Sequence, residues 1–400
     1  MKKIIKNNVS WVGKVDWELR KFHGEELSTH KGSTYNSYLV QEEKNILIDT
    51  VWLPYAEEFV ANLAQEIDLH KIDGIVVNHG EVDHSGALPA LLKQIPGVPL
   101  YCTKNAVKSL KGQYHQEWNF QVVETGTKLD VGNGKELVFI EMPMLHWPDS
   151  MSVYLTADNI LFSNDAFGQH YATELLFNDL VDQSELYQEA IKYFANILTP
   201  FSTILLQKLE EISALGLPVD MIATSHGVIW RDNPWQIVEK YALWADSYQE
   251  NQITVVYDTM WNGTKMLAEH IAGGINAADP SLNVKLYNVA KTDQNDLVVE
   301  VFKSKLVVTG SPTVNRTILH SVAGFLHLLK GLKFKNKKAA CFGCYGWSGE
   351  STKVLAELLN DAGFEVVGEG FKNLWNPNED RLKEAALFGQ KLVSEIDYSN

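Results

Sequence analysis

Residues 78–89, NHGEVDHSGALP, place His79, Glu81, Asp83 and His84 within six positions. The apolar run IDGIVV comes immediately before them. These side chains therefore fall on a strand-to-helix loop at the carboxyl edge of a sheet, where open α/β architectures gather their ligands. Two imidazoles interleaved with two carboxylates are too polar and too dense for a packing motif. Three further residues recur in the same setting. His146 lies in PMLHWPDS after the strand ELVFIEM, Asp165 in FSNDAFG after NILFS, and His226 in TSHGV after MIAT. Each follows an apolar strand and comes just before a Gly- or Pro-bearing turn. Together the seven make four imidazoles and three carboxylates. One carboxylate is then available as a bridge, which suits two metal ions held a few ångströms apart.

Composition agrees with a soluble protein built around such a site. The 400 residues suggest two to three domains at ~150 residues each. With 45% hydrophobic and 21% charged residues there is material for at least two cores, which excludes a disordered chain. A net charge of -15 argues against binding nucleic acid, where Lys and Arg must neutralise phosphates, and against an anionic membrane surface. Twelve histidines against three cysteines favour nitrogen and oxygen ligands and leave no disulfide framework. The N-terminal MKKIIKNNVSWVGKVDW has no apolar signal core, and no run approaches the ~18 apolar residues of a membrane span. A cytoplasmic location is expected.

Along the first 250 residues short strands mix with helices. From Asp182 to Leu215 the pattern is helical in two segments, with Pro200 as the break. Near residue 250 the texture changes. The runs ITVVYDTMW, VKLYNVA, KLVVTGSP, AACFGCYGW and EVVGEGFKN read as buried strands. They alternate with the helical patterns KMLAEHIAGGI, TILHSVAGFLHLLKG and STKVLAELLNDAG, which predicts a doubly wound parallel sheet. Two domains are expected, 1–250 and 251–400.

The second domain carries its own constellation. After ITVVYD come Thr259, Met260, Trp261, Asn262, Gly263 and Thr264, leading directly into a helix. Hydroxyls, Asn and Gly at such a turn offer backbone N–H groups to a phosphate at a helix N-terminus. Neither GxGxxG nor GxxxxGK[ST] is present, so dinucleotide and nucleoside-triphosphate loops are disfavoured. The third strand ends in Ser311, Pro312, Thr313 and Asn315. The fourth ends in Gly343, Cys344, Tyr345, Gly346, Trp347, Ser348 and Gly349. Cys341 and Cys344 form a C-x-x-C, but Cys341 falls inside an apolar strand, so burial explains it better than redox or zinc chemistry.

These motifs carry a resemblance. The His79–His84 loop with later His, Asp and His residues is similar to the metallo-β-lactamase superfamily, whose loop reads H-x-H-x-D-H. Here Glu81 stands at the second His, which moves the site from zinc toward iron or manganese. An H-x-E-x-D-H loop followed by a flavodoxin-like domain resembles the flavodiiron proteins, of the rubredoxin:oxygen oxidoreductase type. The resemblance implies an α/β chain with an N-terminal metallo-β-lactamase-like αββα sandwich and then a flavodoxin-like doubly wound sheet. It implies a diiron centre in which His79, Glu81 and His146 serve one iron and Asp83, His84 and His226 the other, with Asp165 as bridge. The family varies at the counterparts of His84 and His146. It also implies FMN. The phosphate would sit at Thr259–Thr264, where Trp261 replaces the usual hydroxyl, and the ring would be held from the 311–315 and 343–349 loops, with Trp347 stacked on its face. Tyr193, His170 and His23 are candidate pocket residues. The implied activity is reduction of O2 to water, of NO to N2O, or both, with electrons relayed through FMN from a rubredoxin or flavin reductase. A head-to-tail homodimer, alone or as a dimer of dimers, would bring the FMN of one chain to the irons of the other. No second C-x-x-C is present, so a fused rubredoxin is not expected. Two alternatives are a zinc hydrolase with a flavodoxin-like appendage and an electron carrier with a vestigial metal domain.

Overall fold

The apolar runs become the inner strands of three larger sheets in the computed structural model, which describes residues 2–396. The chain divides into two units. One holds everything described before Phe194 together with Phe201–Ala242; the other holds Phe194–Pro200 and everything described from Leu243 onward.

In the first unit a seven-stranded sheet has the order Lys3–Lys6, Val9–Trp11, Tyr38–Gln41, Asn45–Ile48, Ile72–Val76, Leu100–Cys102, Phe120–Val122. It is antiparallel up to Asn45–Ile48 and parallel beyond it. Parallel neighbours need crossovers. The helices Ala56–Glu66, Leu88–Gln94 and Lys104–Tyr114 lie on those connections. The second sheet has the order Lys128–Gly132, Lys135–Glu141, Met151–Leu155, Ile160–Asn164, Met221–Thr224, and only its last pair is parallel. The two sheets share one core. Tyr38, Val40, Ile46, Ile48 and Val76 pack with Phe139, Val153, Leu155, Phe162 and Ala223. The two-residue spacing of Tyr38 and Val40, Ile46 and Ile48, and Val153 and Leu155 is the pleat period, which turns one face of each strand inward. Each such side chain contributes ~1.5–3 kcal/mol by leaving water. This is the αββα sandwich expected of the N-terminal domain.

The helical stretch after Asp182 breaks at Pro200 as its missing N–H requires. Gln183–Tyr193 is α-helical; a π turn, Phe194–Leu198, and a 3-10 turn, Thr199–Phe201, follow, and the α-helix resumes over Ser202–Ala214. Thr103 caps Lys104–Tyr114: its Oγ1 accepts from the Ala106 N–H at 3.1 Å and donates to the Asp149 carbonyl at 3.0 Å. Thr103→Ala should lower stability by about 1–2 kcal/mol, read as an earlier urea midpoint of the first unit.

In the second unit the sheet is wholly parallel. Its order is Asn283–Asn288, Gln252–Tyr257, Leu306–Gly310, Lys338–Tyr345, Glu365–Val366, with Phe371–Leu374 also on Lys338–Tyr345. The chain runs outward in both directions from Gln252–Tyr257 and Leu306–Gly310, so these two strands flank the topological switch point. EVVGEGFKN, expected as one strand, forms two. Gly368 and Gly370 adopt φ of +69° and +79°, a turn that L side chains resist. The helices Gly263–Ala278 and Glu379–Val393 approach closely because two glycines lie between them. A Cβ on Gly274 would sit 2.0 Å from the Ala386 carbonyl, and one on Gly389 2.2 Å from that of Ile271. No helix among the described residues is long and apolar enough to cross a membrane.

Candidate functional site

In the first unit four strand ends deliver seven side chains to one edge of the sandwich. His79, Glu81, Asp83 and His84 follow Ile72–Val76; His146 follows Lys135–Glu141; Asp165 follows Ile160–Asn164; His226 follows Met221–Thr224. The two carboxylate oxygens of Asp165 face different groups. Oδ2 lies 3.4 Å from His146 Nε2 and 3.7 Å from His79 Nε2. Oδ1 lies 3.0 Å from His84 Nε2 and 3.5 Å from His226 Nε2. Glu81 Oε2 joins the first group, 3.2 Å from His79 Nε2 and 3.5 Å from His146 Nε2. Asp83 Oδ2 joins the second, 3.0 Å from His226 Nε2 and 3.3 Å from His84 Nε2. The ligating atoms of His79, His146 and Asp165 lie within 4.8 Å of one another, as do those of Asp83, His84 and His226.

These atoms are close, yet several make no hydrogen bond. Both oxygens of Asp165, Oδ1 of Asp83 and Nε2 of His84 are buried without a partner. A buried carboxylate with neither oxygen satisfied is costly unless a cation serves it. The donor set of imidazole nitrogen and carboxylate oxygen, split into two groups about one shared carboxylate, fits a pair of metal ions of borderline hardness.

The surroundings hold the rings. His79 Nδ1 meets Asp149 Oδ1 at 2.9 Å, and His226 Nδ1 meets the Thr34 carbonyl at 2.6 Å. His23 Nε2 lies 3.2 Å from Glu81 Oε1. The His170 ring is 5.0 Å from that of His226 and 5.1 Å from that of Tyr193; its Nδ1 pairs with Ser33 Oγ at 2.9 Å, and its Nε2 is buried without a partner. All three candidate pocket residues therefore stand beside the seven.

In the second unit a cavity of about 830 Å³ opens at the switch point. From the expected set it is lined by Thr259, Met260, Trp261, Gly263, Thr264, Pro312, Thr313, Asn315, Cys344, Tyr345, Gly346, Trp347 and Ser348. Thr264 Oγ1 is buried without a partner at the first turn of Gly263–Ala278, as a phosphate donor would be. Trp347 and Trp261 are 88% and 85% exposed, large aromatic faces at the cavity rim. Four expected residues lie outside the lining. Asn262 forms the left-handed N-cap, φ +66°. Ser311 turns its hydroxyl to the Leu319 N–H and the Pro312 carbonyl. Gly343 makes room for the Ser311 carbonyl, which its Cβ would meet at 2.1 Å, and Gly349 lies under the Tyr345 ring.

Known proteins are similar to this chain in sequence and fold. Residues 34–227 match the family model described as ODP family beta lactamase, and residues 255–389 match Flavodoxin. The anaerobic nitric oxide reductase flavorubredoxin of Escherichia coli (strain K12) is 54% identical over 393 residues, covering 98% of this chain and 82% of that protein. The rubredoxin oxygen:oxidoreductase of the anaerobe Desulfovibrio gigas superposes with a TM-score of 0.95 at 35% identity, over 99% of this chain and 98% of that one. The chain belongs to the flavodiiron family. A flavodiiron protein from Giardia intestinalis also superposes, with a TM-score of 0.93 at 34% identity over 98% and 96% of the two chains.

Sequence reasoning missed four residues of this flavodiiron chain. Arg316, Trp375 and Asn376 line the second cavity. Asp149, three residues beyond His146, holds His79. For Trp375 and Asn376 the available signal was a polar–aromatic turn, LWNPN, after a further strand, and for Arg316 its place directly after Asn315. For Asp149 it was a second acid in the His146 loop.

Charge among these seven side chains predicts a proton count. Burial pushes the imidazolium of His79 down, but hydrogen bonds to Asp149 and Glu81 outweigh it and raise the group to about 10. Burial likewise opposes His146, which its contacts with the Asp165 and Glu81 carboxylates raise to about 10, and His84, which the Asp83 and Asp165 charges raise to about 9. Raised values stabilise the fold fully below the ordinary pKa of ~6.5, and that contribution is lost as pH climbs through 9 to 10. A metal ion must displace these protons. Loading metal-free protein at pH 7 should release up to three protons per chain, one from each of His79, His84 and His146. Calorimetry in buffers of different ionisation enthalpy measures the number.

Proposed function

We propose that this chain reduces NO to N2O and O2 to water at a diiron centre, using electrons relayed through FMN. The observation that carries the proposal is Asp165, whose two buried oxygens each face a separate group of two imidazoles and one carboxylate. His79, Glu81 and His146 would hold one iron, Asp83, His84 and His226 the other, with Asp165 between them. The Thr259–Thr264 turn would take the FMN phosphate, and Trp347, Tyr345 and Gly346 would border its ring. The domain bounds proposed are 1–250 and 251–400, a few residues beyond the change of unit at Leu243.

When bound, the iron pair supplies Lewis acidity and two electrons, and reduced FMN supplies two more, matching the four needed for O2 and exceeding the two needed for a pair of NO molecules. The protein's part is placement. Asp149 and the Thr34 carbonyl fix two rings, while the first unit's core keeps His79, His84 and His226 from water. Glu81 and His146, 13% and 12% exposed, form the accessible side. His23 borders it beside Glu81, while His170 and Tyr193 stand buried beside His226. A relative at 54% identity is named a nitric oxide reductase, which makes NO the first substrate to test.

The functional unit proposed is a head-to-tail homodimer in the cytoplasm, fed by a rubredoxin or flavin reductase. The net charge of -15 would steer a donor with a complementary basic patch. The hydrolase alternative is weakened by Glu81, which makes the site harder than zinc prefers. The test is anaerobic reduction of protein with quantified iron and FMN, followed by separate NO and O2 consumption assays. Two zinc per chain, thioester or phosphodiester turnover and no gas consumption would sink the proposal.

A further inference from the structure

The two groups on either side of Asp165 match in their inner donors, since each has two imidazoles and one carboxylate. They differ one layer out. Asp149 is fully buried; its Oδ1 lies 2.9 Å from His79 Nδ1 and its Oδ2 accepts from the Gly80 N–H at 3.2 Å. Its main-chain carbonyl accepts from Thr103 Oγ1 at 3.0 Å. Gly80 admits no side chain there, because a Cβ would lie 2.7 Å from Asp149 Oδ2. The corresponding ring atom of the other group, His226 Nδ1, is held by a neutral acceptor, the Thr34 carbonyl. Among the described residues Asp149 is the one carboxylate beyond Glu81, Asp83 and Asp165 that forms an ion pair with any of the four imidazoles.

We propose that Asp149 is a positioning residue that makes the two metal positions unequal, so that the ion beside His79 is oxidised before the ion beside His226. The inference rests on the diiron reading above. An anionic acceptor on Nδ1–H draws the proton toward itself and raises the electron density at Nε2, making the ring a more basic ligand. The buried negative charge also favours the more highly charged ion nearby, with little screening at that depth. A neutral carbonyl does both less.

The experiment uses the full chain loaded with 57Fe and FMN, titrated through its redox states and followed by Mössbauer spectroscopy. The wild type should show one iron oxidising before the other. Asp149→Asn removes the charge and keeps an acceptor. It should retain both irons while the earlier-oxidised one shifts to higher potential, drawing the two steps together. Asp149→Ala should make one iron about 10–100-fold easier to remove with a chelator and leave the other unchanged. Thr103→Ala, which loosens the Asp149 main chain, should give a smaller shift of the same sign and serves if the Asp149 variants fail to fold. Two bound irons with unshifted potentials in these variants would overturn the inference and leave the diiron reading intact. A wild-type chain that takes up no iron pair would overturn both.

Discussion

Asp165→Ala is expected to remove the iron pair and to lower NO and O2 consumption by at least the ~10²–10³-fold that one electrostatic catalytic contact contributes. The size of the effect follows from sharing. Oδ1 faces His84 and His226, and Oδ2 faces His79 and His146. Losing the carboxylate therefore opens both groups and leaves four imidazoles facing one another with less negative charge between them. The carboxyl is held well below the usual carboxylate range: burial opposes ionisation, but the His84 charge and the His146 and His84 contacts outweigh it. Asp165 is thus an anion that the surrounding rings require. Glu81→Ala, by contrast, touches the His79 and His146 group and His23, none of which belongs to the second group, and should spare one position. Flavin content provides the folding control, since the second unit has its own core of Ile253, Val255, Leu267, Val308 and Phe342. Iron per chain and gas consumption are the readouts. Two irons per chain and wild-type turnover in Asp165→Ala would refute the assignment.

The grouping of the seven residues was legible because each lies on the connection that follows a strand. Apolar runs mark strands, and the polar residue following each falls at a sheet edge. Four such edges converge once two sheets share a core, so the grouping of His79, His146, Asp165 and His226 needed only strand placement. Asp149 was not legible in that way. Its partner His79 lies 70 residues earlier, and nothing in either loop specifies the pairing. The same limit explains the second cavity. Ser311 looked like a cofactor-facing hydroxyl, but the fold commits it to the Leu319 N–H, eight residues on. Trp375 and Asn376 were missed because EVVGEGFKN read as one strand. Its glycines divide it, and the second piece, Phe371–Leu374, carries the following turn to the cavity.

The largest consequence of the proposed dimer is that two inactive chains should restore each other. Gly263→Asp is the partner for Asp165→Ala. Gly263 opens the helix Gly263–Ala278 and lines the cavity. A Cβ there would lie 3.0 Å from Asn376 Oδ1 and 3.1 Å from Cys344 Sγ, side-chain ends that can give by a few tenths of an ångström, and a carboxylate suits the positive end of the helix, so the fold should survive. It would, however, repel the flavin phosphate. At a separation of ~4 Å and an effective dielectric of ~20 the repulsion is about 4 kcal/mol, roughly a thousandfold in Kd. Gly263→Asp should then keep its iron and lose its FMN, whereas Asp165→Ala keeps FMN and loses iron. Each alone is expected to be inactive. Coexpressed, they form heterodimers in which the FMN of the Asp165→Ala chain faces the iron pair of the Gly263→Asp chain. One of two sites is intact in each heterodimer. With random pairing about half of the dimers are mixed, so recovery should approach roughly a quarter of the wild-type rate. If electrons instead passed within one chain, every chain in the mixture would remain broken. Mass spectrometry of the intact assemblies shows whether mixed dimers are present. Their presence without recovered consumption would exclude transfer between chains.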